Sequence, residues 1–214
     1  MSKTVRRPLF ARYYARVSDA MERQGVADRR RALLDGLVGR VIEVGAGNGL
    51  NFGHYPAGVT EVLAVEPEPY LRGLAAGAAE RAAVPVRVVD GVADRLPAAG
   101  GAFDAGVVSL VLCSVADQGR ALAELFRVIR PGGQLRFMEH VRADSPGLAR
   151  VQRLVDVVWP VLGGGCHASR DTLTAIRAAG FHVEHLERFR FPDTSVPTPT
   201  APHVLGVARR PAST

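Results

Sequence analysis

The 214-residue sequence holds only two cysteines and one tryptophan, and no apolar run approaches the ~18 residues that a membrane span needs. Cys113 and Cys166 stand far apart, in segments of different kinds, so no disulfide is expected and a reduced, cytoplasmic setting is. The N-terminus is basic but no apolar core follows it, which argues against a secretory signal. Internal repeats and long low-complexity segments are absent. A net charge is also missing from most of the chain. Residues 1–40 carry ten basic side chains against four acids and account for the whole +6, whereas the remaining 174 residues have 17 of each sign. Aromatic residues are not interleaved with the later arginines, so no nucleic-acid partner is expected. The basic segment reads as a solvated helix face, or else as a contact for an anionic membrane surface or an acidic substrate.

What is present suits one globular unit: 47% of residues are hydrophobic and 22% charged. In "LFARYYARVSDAMERQGV", Phe10, Tyr13, Tyr14, Val17 and Met21 recur at helical spacing, with Arg12, Arg16 and Arg23 on other faces. We divide the chain into an N-terminal helical lid segment over 1–38 and a single domain over 39–214. Strands are expected at "RVIEVG", "EVLAVEP", "VRVVDG", "FDAGVVSLVL", "GQLRFMEHV", "FHVEHLERF" and "HVLGVARR". Helices are expected at "EPYLRGLAAGAAERA", "GRALAELFRVI" and "RDTLTAIRAAG", the last of them capped by Ser169. Strand–helix alternation predicts an α/β fold with a doubly wound, mostly parallel sheet. "RPGG" at 130–133 ends a helix and turns the chain into a strand. The last two strands have no helix between them and are expected to pair antiparallel at one edge, joined by an irregular, exposed Pro/Thr loop.

The stretch "VIEVGAGNGLNF" at 41–52 breaks a hydrophobic strand into Gly45, Gly47 and Gly49. Such a turn, between the first strand and a helix, forms a ligand crevice at the strand ends, where missing Cβ atoms let a ligand approach the backbone. A dinucleotide fingerprint, G-x-G-x-x-G, requires glycine at position 50, which is Leu50, so a dinucleotide oxidoreductase is disfavoured. Glu43 would oppose a pyrophosphate and attract an ammonium or sulfonium. Glu66, ending "VLAVEP", can accept both hydroxyls of a ribose.

"EVGAGNG", "VEPEPYL", "ADRLP", "FDAGVVSLVLCSV" and "VIRPGGQLRFMEH", in order over 41–140, resemble the class I S-adenosylmethionine-dependent methyltransferases. The resemblance implies a seven-stranded Rossmann-like sheet, S-adenosylmethionine as cofactor and S-adenosylhomocysteine as product. It also implies that Gly45, Ala46, Gly47, Asn48 and Gly49 line the methionine portion and that Glu66 and Pro67 lie at the ribose. Val92, Ala93 and Asp94 would border the adenine, and Ser109 and Leu110 would lie under the transferable methyl. A tyrosine of the N-terminal helix, for which we favour Tyr14 over Tyr13, would approach the cofactor carboxylate. "NFGHYP", "LVLCSV", "FMEHV", "VVWPVLGGGCHASRDT" and "PHVLGVARR" are similar to the group containing alkyl-thiol S-methyltransferases and bacterial phosphatidylethanolamine N-methyltransferase-like proteins. The vertebrate thiol enzymes carry a hydrophobic N-terminal anchor, where this chain has its basic amphipathic segment.

Methyl transfer from a sulfonium needs alignment, desolvation and, for some acceptors, a base, but no enzyme nucleophile. The expected activity is methylation of a small molecule, with a thiol as first choice of acceptor. The alternatives are a lipid amine at a membrane surface and a cofactor-binding protein without turnover. His140, at the end of "LRFMEH", is either a base or substrate contact or a residue fixing the strand-to-loop turn. Cys166 and His167 form either a substrate-side wall, with His167 a second catalytic candidate, or a loop packed on the C-terminal edge. Cys113 is either a small buried hydrophobe or a pocket contact. His54 and Tyr55 either border the cofactor or form a simple turn, the reading we favour. One Cys-His pair plus one cysteine does not make a four-ligand zinc set, so no metal is expected. Oligomeric state is not legible.

Overall fold

The computed structural model describes residues 7–194 and 198–212. Lys3 and Arg6 of the basic segment and residues 195–197 of the Pro/Thr loop lie outside the described residues.

All seven expected strands form: β1 (Gly39–Val44), β2 (Val59–Val65), β3 (Val86–Val89), β4 (Phe103–Ser109), β5 (Ile129–His140), β6 (His182–Arg190) and β7 (Pro202–Arg209). They make one sheet in the order β3-β2-β1-β4-β5-β7-β6. β1 pairs parallel with β2 and β4, and the order reverses on either side of it. β7 runs antiparallel to both β5 and β6, one place in from the edge that β6 forms. The expected turn at "RPGG" survives as a break in register: Phe103 pairs with Ile129, but Ala105 pairs with Gln134, and Gly132 bulges at φ +75.

Helices cover both faces, because alternate strand residues point opposite ways. Ile42, Val44, Leu63, Val65 and Val108 pack on α4 (Gln118–Val128) and α7 (Thr172–Ala178). Val41, Val62, Ala64 and Val107 pack on α2 (Ala27–Leu34) and α3 (Pro69–Ala79). Helix starts follow capping chemistry: Glu68, Asp117 and Asp171 accept the backbone N–H of Leu71, Arg120 and Thr174. The cap of α7 is therefore Asp171 and not Ser169, whose hydroxyl is turned to Asp156. Asp171 has the geometric advantage of standing directly before the first helical residue.

Two short helices are additional to those expected: α5 (Pro146–Val155) and α6 (Trp159–Leu162). The N-terminal segment is bent. α1 (Pro8–Met21) joins α2 through a π-helical stretch, Glu22–Val26, in which Gly25 takes φ +104. Leu33 and Leu34 of α2 are fully buried in the core. α1 packs Ala11, Ala15 and Tyr14 against Leu71 at the start of α3, near the carboxyl ends of β1 and β2. Among the described residues no helix is long and apolar enough to cross a membrane.

Candidate functional site

Three glycines in the turn after β1 take positive φ: +70 at Gly45, +58 at Gly47 and +81 at Gly49. Their bareness serves two ends. A Cβ on Gly45 would sit 2.5 Å from Val111, and one on Gly49 2.8 Å from both Ala78 and the Phe52 ring. Those two let the turn press against its own protein. At Gly47 the nearest atom would be Tyr14 Cε1 at 3.4 Å, so here the exposed backbone faces α1 and a side chain that can swing. Ala46 and Asn48 complete the turn. The Ala46 N–H donates to Val65 O (3.2 Å), and the Asn48 amide reaches Ser18 Oγ (3.2 Å) of α1.

Glu66, 5% exposed at the end of β2, spans the crevice floor. Its Oε2 accepts the Gly47 N–H at 2.8 Å and its Oε1 the Glu68 N–H at 2.9 Å. Burial pushes its carboxyl up to about 7, against the pull of those two N–H groups. Each oxygen keeps a lone pair for a further donor, which is what a pair of ribose hydroxyls needs. Pro67 follows, its carbonyl accepting from Arg72 at 3.1 Å. Val92, Ala93 and Asp94 form a turn closed by Arg95 N–H to Val92 O (3.1 Å), beside the end of β2, because Gly91 packs on Val65. Asp94 is exposed.

Glu43 lies deeper. It is 2% exposed, with Oε1 accepting from the Asn51 amide (2.9 Å) and Oε2 from the Tyr55 hydroxyl (2.6 Å). Burial raises it to about 7, and raises Tyr55 well above its ordinary value. Its contacts thus brace the turn from beneath. Tyr55, read from sequence as a simple turn residue, is a buried donor in this network, and His54 is a half-buried neighbour. Arg30 completes it. This arginine, counted from sequence among the solvated basic residues, is 5% exposed and donates to Glu22 Oε1 (2.7 Å), Asn51 Oδ1 (2.9 Å) and Ser109 Oγ (3.2 Å). It ties the bent N-terminal segment to the glycine turn and to the end of β4.

At the end of β4, Leu110 takes φ +60, a strained value for a residue with a Cβ. The loop beyond it is held by Glu139, fully buried on β5. Its Oε1 accepts from Val111 (2.9 Å) and Leu112 (3.0 Å), and its Oε2 from Cys113 (3.3 Å). Next to Glu139, His140 opens into the same region. Its Nδ1 lies 3.1 Å from Cys166 Sγ, and its ring packs 4.4 Å from His203. Burial, then the neighbouring His140, push His203 down to about 3, so it stays neutral. Cys113 and Cys166, distant in sequence, meet here as buried free thiols. The nearness of the two thiols raises Cys113 and lowers Cys166, with His140 adding to the lowering. His167 stands apart from the cluster's centre: its N–H donates to Cys113 O (2.8 Å), and its ring is 3.9 Å from Asp156.

The strand ends thus divide into two halves. One is a glycine-lined, carboxylate-floored cleft beside β1 and β2, covered by Tyr14. The other is a thiol–imidazole cluster beside β4 and β5. The open Gly47 backbone and the spare lone pairs of Glu66 fit a nucleoside with a polar, amine-bearing tail.

Comparison with known proteins agrees. The family profile described as a methyltransferase domain matches residues 42–137. Human thiol S-methyltransferase TMT1A is 36% identical over 172 residues, covering 78% of this chain and 69% of that protein. Human thiol S-methyltransferase TMT1B is 35% identical over 181 residues, covering 82% and 73%. An S-adenosylmethionine-dependent methyltransferase from Mesorhizobium loti shares the fold at a TM-score of 0.64 and 22% identity, covering 86% of this chain and 96% of that one. The seven-stranded sheet, the bare turn after its first strand and these likenesses identify the chain as a class I S-adenosylmethionine-dependent methyltransferase, a member of the family that includes TMT1A and TMT1B.

Proposed function

We propose that the methyl acceptor is a small thiol bound on the β4/β5 side of the cleft. The observation that carries this is the His140 nitrogen held 3.1 Å from a sulfur at the end of β5, where a second buried thiol also stands. The names of the two human relatives point the same way. When bound, S-adenosylmethionine supplies an electrophilic methyl on a sulfonium.

This chain's residues do the rest. The turn from Gly45 to Gly49 receives the methionine tail, Glu66 accepts the ribose hydroxyls, and Val92 to Asp94 border the base. Ser109 and Leu110 lie under the methyl, and Tyr14 covers it from α1. Glu43 acts through Asn51 and Tyr55, keeping the turn in place and its charge near the cationic tail. His140 takes the acceptor's proton; a thiol's ordinary pKa is roughly 8.5, so only modest help is required. His167, on the outer wall, passes the proton towards solvent. A cytoplasmic setting keeps both enzyme thiols reduced.

The test is a radiolabelled methyl assay over thiols, amines and phenols. Thiols should be preferred, and His140→Ala should lower turnover by about 10²- to 10⁴-fold with cofactor affinity unchanged. Transfer to amines alone, or intact turnover in the variant, rejects the assignment. Cofactor binding with no transfer to any acceptor returns the protein to the binding-only alternative.

A second reading has its own observation. Leu9 and Tyr13 on α1, Leu154 on α5, Val157 in the turn after it and Val161 on α6 are 62–82% exposed, among exposed Arg12, Arg16, Arg150 and Arg153. Phe10 lies against Gly164, which brings α1 to the end of α6. An apolar, arginine-rimmed face of this kind suits an anionic lipid surface and a phosphatidylethanolamine-type acceptor. Flotation with anionic vesicles decides: no binding at low salt removes the lipid reading.

A further inference from the structure

Cys113, His140 and Cys166 come from three separate segments, yet their donor atoms all lie within 4.8 Å of one another. The fold holds each in place independently. Cys113 sits on the loop whose N–H groups Glu139 gathers. His140 is wedged against His203 of β7. Cys166 ends the glycine run, its N–H donating to Gly163 O (3.1 Å). The two cysteine loops are laced together by His167 N–H to Cys113 O (2.8 Å) and by the Arg170 guanidinium to Leu112 O (2.6 Å). Such a preset arrangement exceeds what packing two small hydrophobes requires.

Two sulfurs and an imidazole form a borderline-soft donor set, the kind that selects zinc over calcium or magnesium. Tetrahedral geometry, with Zn–S at about 2.3 Å and Zn–N at about 2.0 Å, places donors roughly 3.5–3.8 Å apart. The widest separation in the cluster therefore needs to contract by about 1 Å at most, while the 3.1 Å His140–Cys166 pair opens by about 0.4 Å. Three protein ligands leave one position open, the pattern of a site that binds a substrate and not of a closed structural one. That opening lies beside the cleft, since Val111, on the same loop as Cys113, packs against Gly45, and Tyr14 covers Gly47.

We propose that Cys113 Sγ, His140 Nδ1 and Cys166 Sγ hold a zinc-class divalent ion whose remaining position takes the acceptor thiol as its thiolate. The inference rests on the thiol reading and deepens it, replacing direct proton abstraction by His140 with ionisation on the ion. Metal uptake releases the two cysteine protons to solvent, giving a neutral centre of two thiolates and one dication. The acceptor displaces water and loses its own proton to solvent through His167. Its sulfur then forms a bond to the methyl carbon as the donor's carbon–sulfur bond breaks, that electron pair remaining on the donor sulfur. The ion changes no oxidation state. The thioether product carries no charge and is a poor ligand, so it leaves.

The full chain, metal-stripped and kept in a phosphine reductant, is titrated with cobalt(II) as the optical probe. Expected are thiolate-to-cobalt and tetrahedral ligand-field bands that saturate at one equivalent, disappear on adding zinc, and shift on adding 2-mercaptoethanol. Cys166→Ser and His140→Ala should each lose the bands while keeping the far-ultraviolet spectrum and cofactor binding. No uptake by the reduced protein, bands that persist in Cys166→Ser, or a Cys113–Cys166 disulfide formed in place of uptake overturns the site. Undiminished thiol methylation by metal-stripped protein overturns the ion's role and leaves the thiol reading standing. Cobalt bands indifferent to thiols, with no thiol methylated at any metal loading, overturn both.

Discussion

Replacing Glu66 by glutamine tests the floor of the cofactor cleft with the smallest change in shape. The native carboxylate accepts two backbone N–H groups, from Gly47 at 2.8 Å and Glu68 at 2.9 Å, while 5% exposed. A glutamine can satisfy one of them with its oxygen. Its NH2 must then face the other, donor against donor. The same NH2 no longer accepts a ribose hydroxyl, and losing that bond to a charged group costs cofactor binding about 1.5–3 kcal/mol. Cofactor affinity should fall roughly 10- to 100-fold, since about 1.4 kcal/mol is a factor of ten. The effect also has a pH signature. Glu66 sits at about 7 in the free protein, and hydroxyl donors favour its ionised form, so binding expels a proton. Affinity for S-adenosylhomocysteine should therefore weaken as pH falls below about 7, by up to about tenfold per unit, and level off above it. The glutamine variant should lose that slope. Isothermal titration calorimetry in buffers of different ionisation enthalpy reads both the affinity and the proton released. Affinity within about twofold of wild type in the variant, or a flat wild-type profile, refutes the assignment.

Gly49→Ala should lower the melting temperature by roughly 10 °C, combining left-handed strain with contacts against Ala78 and Phe52, about 3 kcal/mol together; a drop under about 2 °C would contradict the packing account. Arg30→Met leaves Glu22 without its buried partner and should cost about 3–5 kcal/mol, with faster hydrogen exchange in α1 than in β6; unchanged exchange in α1 would mean the N-terminal segment is not held through this residue. Glu43, ordinarily near 4.5 and raised to about 7 by burial, contributes stability that is complete below about 4.5 and lost as pH rises through about 7. The unfolding free energy of the cofactor-free protein, from urea melts, should fall over that window, with Glu66 contributing alongside, and Glu43→Gln should remove the Glu43 share of at most about 3 kcal/mol; a profile rising with pH there would reverse the sign that burial dictates.

The sequence was most legible where a residue's role is set by its near neighbours. β1 through β7 follow from β-branched runs and their punctuation, and the glycine turn from its own spacing. Legibility failed where distance in sequence collapses in space. Nothing adjacent to Arg30 says that it turns inward to Asn51 and Ser109 and not outward with Arg29 and Arg31. Cys113 reads as a small buried hydrophobe or a pocket contact and Cys166 as part of a separate loop, unrelated until β5 and the glycine run bring them to one point. α5 is hidden because Val151 and Leu154 lie on its outside, so its apolar residues do not trace a core-facing stripe. Ser169 reads as a better cap than Asp171 for lack of any sign that Asp156 would claim its hydroxyl.

The position of β7 sets a schedule for biosynthesis. A polypeptide leaving the ribosome can assemble β1 to β4 and their helices from what has already emerged. The gap between β5 and β6 stays open until residues 202–209 thread into it, bringing His203 to brace His140. The half proposed for the nucleoside can thus be complete while the half proposed for the acceptor is still waiting. A nascent chain stalled before β7 would be able to load its methyl donor yet have no finished wall against which to spend it.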